Sequence, residues 1–267
     1  MLLLHAALLG MVQGLTEFLP VSSSAHLILA RAFFGWDAEQ FGRPFDVACH
    51  VGTLAAILVY FRRDLIALVM ALPRAIPPVA DRTAHLLWLI IVGTIPLVPI
   101  GLTLADLEDT LRTPKVIVVT LAVVGVAMLV ADRLGRRQRK AEDLTWGEAF
   151  SLGIAQSLAL IPGVSRSGAT ITTGLAFGLE RESAARFSFL LGVPAMFAAA
   201  AHEGHRMLGV PMDAVTKQVF LVGMLTSAVV GYATVTYFLR YLVGHGLAVF
   251  AWYRIALAAV TLVWLFL

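Results

Sequence analysis

Long apolar stretches recur along the whole chain and are separated by short polar connections. A helix needs about 20 apolar residues to cross the hydrocarbon core of a bilayer. Six stretches approach that length, and each predicts a transmembrane helix: about residues 45–61, 85–104, 115–131, 187–202, 217–239 and 247–267.

Two further apolar stretches, about 2–34 and 148–179, contain clusters of Pro, Gly and Ser near their middles. The clusters lie at Pro20–Ser24 and Pro162–Gly168, and such residues end or break a helix. We expect each stretch to enter the membrane, turn at its cluster and return to the same side. Each is therefore predicted to form a re-entrant helical hairpin.

The two broken stretches also match each other at a constant offset of 143 residues. The matched pairs are Gln13 with Gln156, Leu15 with Leu158, Val21 with Val164, Ser22 with Ser165 and Ser24 with Ser167. The matches indicate a duplication in which each half holds one broken hairpin followed by three spans. Because three is odd, the second half is inverted relative to the first.

The predicted fold is an all-α integral membrane protein with six transmembrane helices and two re-entrant helical hairpins, arranged as inverted-topology repeats. Residues 1–267 form a single membrane domain, with one repeat at about 1–131, a cytoplasmic linker at about 132–145 and the second repeat at about 146–267. Inverted halves bring the hairpin tips in from opposite faces, so we expect them to meet at a cavity near the middle of the membrane.

Composition agrees with this prediction, since 59% of the residues are hydrophobic, 14% are charged and the mean hydropathy is +0.86. Such a chain lacks the polar residues that the surface of a soluble globule needs. The lone Cys49 excludes an internal disulfide framework and a multi-cysteine metal site, and its apolar surroundings are typical of a small buried hydrophobe.

The net charge of +3 does not indicate a nucleic-acid partner, because the basic residues lie at the ends of apolar stretches and form no single face. With both hairpins re-entrant, twelve of the 20 Lys and Arg residues share one side of the membrane and six the other. Cytoplasmic loops carry an excess of Lys and Arg. The twelve-residue side is therefore assigned to the cytoplasm.

The first break carries the motif QGLTEFLPVSSSAH, from Gln13 to His26. Gln13 and Glu17 are four residues apart and share one helical face. Ser22, Ser23 and Ser24 follow the proline in the pattern of a helix N-cap, where free N–H groups attract anions. Ionisable side chains are costly inside an apolar hairpin, so Glu17 and His26 indicate function, although neutralised, purely structural roles stay possible for each.

The second break carries the motif PGVSRSGAT, from Pro162 to Thr170. Arg166 offers a planar fork that suits paired phosphate oxygens. The residues around it supply hydroxyls and a flexible backbone for a phosphate cradle: Ser165, Ser167, Gly168 and Thr170. A carboxylate, an imidazole, a guanidinium and hydroxyls beside helix N-termini favour phosphoryl transfer at a lipid head group.

Other polar residues within the apolar stretches are weaker candidates. Glu148 fits a capping box with Thr145 at the start of the second broken helix. Asp46 and His50 lie four residues apart and could support the site, cap their helix or reach toward the membrane surface. Arg254 lies inside a predicted span with no assigned role.

Both motifs, and essentially the whole chain, closely resemble the undecaprenyl-diphosphate phosphatase family, also called bacitracin-resistance proteins. The resemblance implies a multi-pass enzyme of the bacterial inner (plasma) membrane, with its active site facing the periplasm. Its implied reaction is the hydrolysis of undecaprenyl diphosphate to undecaprenyl phosphate and phosphate, which recycles the lipid carrier for peptidoglycan synthesis and gives bacitracin resistance. It also implies a homodimer and dependence on Mg²⁺ or Ca²⁺.

The family's motif residues map onto Gln13, Glu17, Ser22, Ser23, His26, Ser165, Arg166, Ser167 and Thr170. Gln13 stands where the family can have a second Glu, and Ser24 with Ala25 stands where many members have Thr-Gly. Metal binding by a pair of Glu residues is therefore in doubt, and a metal would use Glu17, diphosphate oxygens and at most the amide oxygen of Gln13.

The mechanism expected from motif position has Arg166 and the helix N-termini holding the diphosphate while Ser23 attacks the terminal phosphorus. His26 or Glu17 accepts the proton from Ser23, and a water activated by His26 is an alternative nucleophile. A polyprenyl-phosphate flippase or secondary transporter is the rival function, because inverted repeats with broken helices are also typical of transporters. A purely structural scaffold leaves the burial of Glu17 and Arg166 unexplained.

Overall fold

The structure is a computed structural model that describes residues 1–36, 41–75, 81–105, 107–207 and 212–267. Within these ranges every named element is helical. The α-helices are α1 (Leu2–Phe18), α2 (Ser23–Phe34), α3 (Arg43–Tyr60), α4 (Arg62–Met70), α5 (Arg82–Thr94), α6 (Leu97–Ala105), α7 (Glu108–Leu111), α8 (Pro114–Leu134), α9 (Trp146–Ser157), α10 (Arg166–Ala176), α11 (Arg181–Met207), α12 (Ala214–Gly244) and α13 (Ala248–Trp264). Short 3₁₀ turns occur at Leu72–Arg74, Ala141–Asp143 and Leu158–Leu160.

The prediction of an all-helical membrane protein is confirmed at this level. Four helical stretches are long and apolar enough to cross a membrane by length and composition: Arg82–Leu104, Pro114–Leu134, Arg181–Met207 and Ala214–Gly244. They contain four of the six predicted spans. Large apolar side chains such as Leu102, Val229 and Val263 are exposed on the outside of the bundle, as expected for a surface that faces lipid.

The other two predicted spans coincide with shorter or less apolar helices. The stretch at 247–267 is the apolar helix Ala248–Trp264, which is shorter than those four. The stretch at 45–61 lies in α3, which is not among the apolar spans of the described residues. Arg43, Asp46 and His50 lie in the first half of α3 and lower its hydropathy.

Each predicted break separates two helices. Residues 19–22 lie between α1 and α2, and residues 161–165 lie between the 3₁₀ turn that follows α9 and the start of α10. Ser22 and Ser165, which match at the offset of 143, adopt the same rare backbone conformation, with φ of 77° and 70°. Each caps the following helix by accepting a backbone N–H three residues later, from Ala25 and Gly168 respectively. The two breaks therefore share one local geometry.

Close glycine contacts position the first helix of each pair. A Cβ atom on Gly10 of α1 would clash with the backbone of Gly223 in α12, and one on Gly153 of α9 would clash with the backbone of Gly93 in α5. Gly10 and Gly153 also match at the offset of 143. Each of these helices thus lies against a helix from the other half of the chain.

The main apolar core fixes the end of α1. Phe18 is fully buried, and its ring packs edge-on against Phe189 of α11 at 5.5 Å between centroids. Phe189 in turn contacts Phe61 and Phe238. Because Phe18 is fixed in this core, the residues next to it on both sides have a defined position.

The predicted capping box at the start of α9 is confirmed. Glu148 accepts the backbone N–H of Thr145, and the Thr145 hydroxyl accepts the backbone N–H of Glu148. Nη1 and Nη2 of Arg139 also donate to the two oxygens of the Glu148 carboxylate, at 2.7 and 2.9 Å. These hydrogen bonds from Arg139, together with those from Thr145, lower the pKa of Glu148 to about 2. The polar linker is thereby attached to the second half.

Candidate active site

The two breaks meet inside the bundle. The hydroxyl of Ser167, in the first turn of α10, donates to the carbonyl of Leu19 at 3.1 Å. Arg254 of α13 donates to the carbonyl of Pro20 in the first break, at 3.1 Å. The same guanidinium donates to the carbonyls of Gly163 and Val164 in the second break, at 2.7 and 3.1 Å. These bonds hold the two hairpin tips side by side.

Glu17 lies at the centre of the polar side chains. It is in the last turn of α1, is only 8% exposed and receives contacts from four residues. One carboxylate oxygen, Oε2, accepts from the Ser23 hydroxyl at 2.7 Å and from the Gln13 amide at 2.9 Å. His50 Nε2 lies 3.4 Å from the same oxygen. The other oxygen, Oε1, accepts from Arg166 at 3.0 Å.

Ser23 and His26 are both in the first turn of α2 but have different partners. The Ser23 hydroxyl points toward Glu17. His26 Nδ1 lies 2.7 Å from the carbonyl of Ser22, which can only accept, so Nδ1 carries a proton. Its Nε2 lies 2.7 Å from the Tyr253 hydroxyl of α13. Of the two groups predicted to accept the Ser23 proton, Glu17 is therefore the one in contact with it.

Arg166 reaches Glu17 from the opposite half of the chain. Its Nη2 donates to the carboxylate, whereas its Nη1 is buried and makes no hydrogen bond among the described residues. A buried guanidinium donor without an acceptor is costly. Nη1 is therefore available to an anionic group that enters between the hairpin tips.

Gly192 of α11 makes room for this guanidinium. A Cβ atom at Gly192 would overlap with Nη1 and Cζ of Arg166. The absence of a side chain at this position thus determines where the Arg166 head group lies.

The remaining predicted site residues mainly shape the two loops. Ser22 and Ser165 cap α2 and α10, and each is 3.2 Å from a second hydroxyl, that of Ser24 or Ser167. The Thr170 hydroxyl donates to the carbonyl of Arg166 and also contacts Ser188. A Cβ at Gly168 would approach Ser165 and Arg254. These residues hold two helix N-termini in place, and both N-termini are suited to bind anions.

His50 lies in the site, beside Glu17. The sequence alone did not decide between a role in the site and a role at the end of its helix. Its Nδ1 lies 2.7 Å from the carbonyl of Asp46, which turns Nε2 toward Glu17. The Asp46 carboxylate accepts from Arg31 at 2.6 and 3.0 Å and from Arg112 at 3.0 Å. Asp46 therefore anchors the start of α3 and, through its carbonyl, orients the imidazole of His50.

Three further residues contact the site residues or the two breaks, and no role was predicted for them from the sequence. Arg254 is fully buried and joins both breaks, Tyr253 bonds to His26, and Gly192 accommodates Arg166. An arginine inside an apolar span was a visible signal for Arg254. Tyr253 and Gly192 carried no comparable signal, because their roles depend on contacts between helices.

The described residues contain no group of three or more His, Cys, Asp and Glu side chains that could hold a metal ion. One observation does fit a divalent ion, since Gln13 Oε1 is buried and makes no hydrogen bond within the described residues. The amide nitrogen of the same side chain donates to Glu17 at 2.9 Å. Magnesium is often held by only one or two protein ligands together with substrate phosphates, and this donor set fits such an ion.

The arrangement combines a hydroxyl, a carboxylate that can take its proton, and a guanidinium with a free donor. This combination suits nucleophilic attack on an anionic ester or anhydride.

Comparison with known proteins gives one consistent family. Residues 6–260 match the family model described as bacitracin resistance protein BacA. A protein named undecaprenyl-diphosphatase from Rubrobacter xylanophilus is 48% identical over 261 residues, which cover 96% of each chain. Proteins with the same name from Trichlorobacter lovleyi and Moorella thermoacetica are 45% and 43% identical, and cover 95% and 99% of this chain and 94% and 99% of their own.

Proposed function

The chain belongs to the bacitracin resistance protein BacA family, and on that basis we propose that it hydrolyses undecaprenyl diphosphate to undecaprenyl phosphate and inorganic phosphate. This reaction recycles the lipid carrier for peptidoglycan synthesis and gives bacitracin resistance. The observation that carries the proposal is the Ser23 hydroxyl, which donates at 2.7 Å to a carboxylate that is itself paired with Arg166 of the other hairpin.

The diphosphate binds between the two hairpin tips. Nη1 of Arg166 is buried, has no acceptor among the described residues and donates to an oxygen of the terminal phosphate. The N-termini of α2 and α10 directly follow the two breaks, and their first-turn N–H groups can donate to phosphate oxygens. Since Arg254 and the hydroxyl of Ser167 are already bonded to loop carbonyls, they position the loops and do not touch the lipid.

In the first step the Ser23 oxygen attacks the terminal phosphorus while Glu17 takes the hydroxyl proton. The bond from phosphorus to the bridging oxygen breaks, and its electron pair leaves with undecaprenyl phosphate. Arg166 neutralises charge on the transferred group, as electrostatic stabilisation dominates phosphoryl transfer. The product of this step is a phosphorylated Ser23.

In the second step water attacks the phosphorylated serine, the serine–phosphorus bond breaks and inorganic phosphate leaves. The proton that Glu17 holds returns to the Ser23 oxygen, and the proton from water leaves with phosphate. His26 holds the start of α2 through its bonds to Ser22 and Tyr253. His50, 3.4 Å from Glu17, keeps the carboxylate facing Ser23.

A divalent ion, Mg²⁺ or Ca²⁺, would be held by Glu17 and the amide oxygen of Gln13. When bound, such an ion would shield the negative charge of the diphosphate. The amide oxygen of Gln13, which has no hydrogen-bond partner in the described part of the chain, supports this assignment. With Gln at this position, the ion depends on the substrate for its remaining ligands.

The proposal extends to the arrangement in the bacterial inner membrane. We propose six transmembrane helices and two re-entrant hairpins in inverted repeats, with the site open to the periplasm. The matched geometry of Ser22 and Ser165 supports the repeat, and the bias of Lys and Arg supports the orientation. A homodimer stays a prediction that rests on the family resemblance.

Phosphate release from undecaprenyl diphosphate by the purified protein tests this function. We expect release by the wild type and a loss of at least ~100-fold in Glu17→Gln, which keeps the shape of the side chain but cannot accept the proton. A chelator should reduce the wild-type rate, and an unchanged rate would contradict the proposed ion. If the wild type releases no phosphate while vesicles show movement of polyprenyl phosphate, the protein is a flippase and the proposal is wrong.

A further inference from the structure

A small polar pocket lies where the linker between the two halves meets the start of α5. The 3₁₀ turn of the linker, Ala141–Asp143, packs against α5, and the carbonyl of Leu144 lies 3.2 Å from Nε2 of His85. The pocket has a volume of about 210 Å³. It is lined by Arg82, Thr83, Leu86, Lys140 and Glu142. We call it the linker pocket, and it shares no residue with the candidate active site.

Three charged side chains of opposite sign line the linker pocket without pairing. Arg82 and Lys140 are exposed and Glu142 is half-buried. Within the residues that the structure describes, none of these three side chains makes a hydrogen bond or an ion pair. The neighbouring Asp81, by contrast, is paired with Arg74 at 2.8 Å. Two cations and one carboxylate around a single cavity are thus available to an occupant that carries both signs of charge.

Two tryptophans place the linker pocket at the level of the lipid head groups. Trp88 of α5 lies against Trp146 at the start of α9, with 6.4 Å between the ring centroids, and Trp146 is exposed. Tryptophans concentrate at the interface between hydrocarbon and water. Arg82 is the first residue of a stretch long and apolar enough to cross a membrane, and it precedes Trp88 by about 9 Å along the helix. The charged residues of the pocket therefore lie on the aqueous side of the tryptophans.

We propose that the linker pocket binds a phosphoethanolamine group, the head group of a phosphatidylethanolamine molecule in the surrounding leaflet. Its phosphate carries the negative charge that Arg82 and Lys140 complement, and its ammonium group carries the positive charge that Glu142 complements. Leu86 lies one turn further along α5 toward Trp88, so the lining changes from charged to apolar in the direction of the acyl chains. An anionic head group without an amine leaves the Glu142 carboxylate unpaired, and that carboxylate selects against it.

The bound lipid joins the linker to the first half of the chain. Arg82 belongs to α5, whereas Lys140 and Glu142 belong to the linker after α8, so one head group contacts both. The volume of about 210 Å³ is below the roughly 300–1,000 Å³ of sites that enclose a whole small molecule, and it suits a head group whose acyl chains stay in the bilayer. A ligand that binds only the folded protein stabilises it. The lipid therefore raises the stability of the protein, whatever reaction the active site performs.

Thermal unfolding of the full-length protein, purified in detergent and freed of phospholipid, tests the proposal. Phosphatidylethanolamine should raise the Tm of the wild type by about 5 °C, and phosphatidylglycerol with the same acyl chains should raise it by less than half as much. Arg82→Gln should abolish the rise. Arg136→Gln, which removes an exposed arginine of the linker outside the pocket, should keep it. Without added lipid, the three proteins should have similar melting temperatures.

Glu142→Gln tests the recognition of the ammonium group. This variant should lose the preference between the two lipids, so that phosphatidylglycerol raises its Tm at least as much as phosphatidylethanolamine does. Native mass spectrometry provides a second measurement that does not depend on unfolding. The wild type should retain one phosphatidylethanolamine molecule, and Arg82→Gln should bind it about tenfold more weakly, because a charge-assisted hydrogen bond is lost.

Three results would each overturn the inference. Equal stabilisation of the wild type by the two lipids would show that the ammonium group is not recognised. An equal rise in the wild type and Arg82→Gln would place the lipid elsewhere on the protein. If water-soluble phosphoethanolamine or inorganic phosphate at the same concentration reproduces the whole rise, the pocket binds a soluble phosphate compound and the lipid is the wrong source.

Discussion

Glu17 illustrates how single residues determine the chemistry of the site. A buried charge is tolerated only when it is paired and hydrogen-bonded, and removal of one partner of a buried ion pair costs about 3–5 kcal/mol. Glu17 has a guanidinium on one oxygen and a hydroxyl, an amide and an imidazole near the other. Its position is thus fixed from three helices besides its own, which also presents the carboxylate to Ser23.

The first prediction concerns Ser23. Ser23→Ala should lower phosphate release by at least ~1,000-fold, because loss of a nucleophile removes the covalent route. Binding of undecaprenyl diphosphate should persist, since Arg166 and both helix N-termini are unchanged. Ser24→Ala is the matched control and should retain most of the activity. If Ser23→Ala keeps its turnover, water is the nucleophile.

The second prediction concerns Gly192, which lies against the guanidinium of Arg166. Gly192→Ala places a methyl group where the guanidinium lies, and a displacement of about 1 Å can cost ~100-fold in rate. We expect kcat to fall by about that factor while the helical content and thermal stability stay close to the wild type. Gly204→Ala, in the same helix but with open space around it, should leave kcat unchanged. Equal activities of the two variants would contradict the assigned position of Arg166.

At the scale of helices, local signals in the sequence were sufficient to place the breaks and caps. Proline, glycine and serine act on their own backbone, so the break after α1, the break before α10 and the capping box at Thr145 could be predicted. Contacts between helices could not be predicted from the sequence, because apolar periodicity does not specify which helices are neighbours. This is why the role of His50 stayed open and those of Gly192 and Tyr253 were missed.

The third prediction concerns the cap of α9. Since the folded-state pKa of Glu148 is lowered to about 2 from its usual 4.5, its carboxylate stabilises the fold above pH ~4.5 and loses this contribution as the pH falls toward ~2. Glu148 is partly exposed, so we expect Glu148→Gln to cost only about 1 kcal/mol at neutral pH.

Thermal unfolding in detergent measures this effect. The melting temperature of Glu148→Gln should lie below that of the wild type at pH ~7, and the difference should shrink below pH ~4. Glu142→Gln, which removes the same charge from the adjacent turn, controls for net charge. A difference that grows on acidification would contradict the assigned ion pair with Arg139.

At the scale of the whole molecule, helices of each half pack against helices of the other half. Helix α1 of the first half lies on α12 of the second, α9 of the second lies on α5 of the first, and α8 packs against α13. This reciprocal packing is the relation expected for repeats related by a two-fold axis. It explains why Glu17 and Arg166, which are far apart in sequence, meet in one site. The repeat was inferred from the offset of 143 residues and stays a prediction, whereas the identity of the helices in contact required the structure.

The last prediction tests whether the two hairpins enter from opposite faces of the membrane. Phe34 is exposed at the end of the first hairpin, and Gly147 has open space around it at the start of the second. In intact cells, a membrane-impermeant maleimide should label Phe34→Cys from the periplasm, and Gly147→Cys only after permeabilisation. Lys115→Cys, in the first turn of α8, and Lys140→Cys, after the end of that helix, calibrate the two sides. The native Cys49 is buried and adds little background. If Phe34→Cys and Gly147→Cys react from the same side, the halves are not inverted and the orientation derived from the basic residues is wrong.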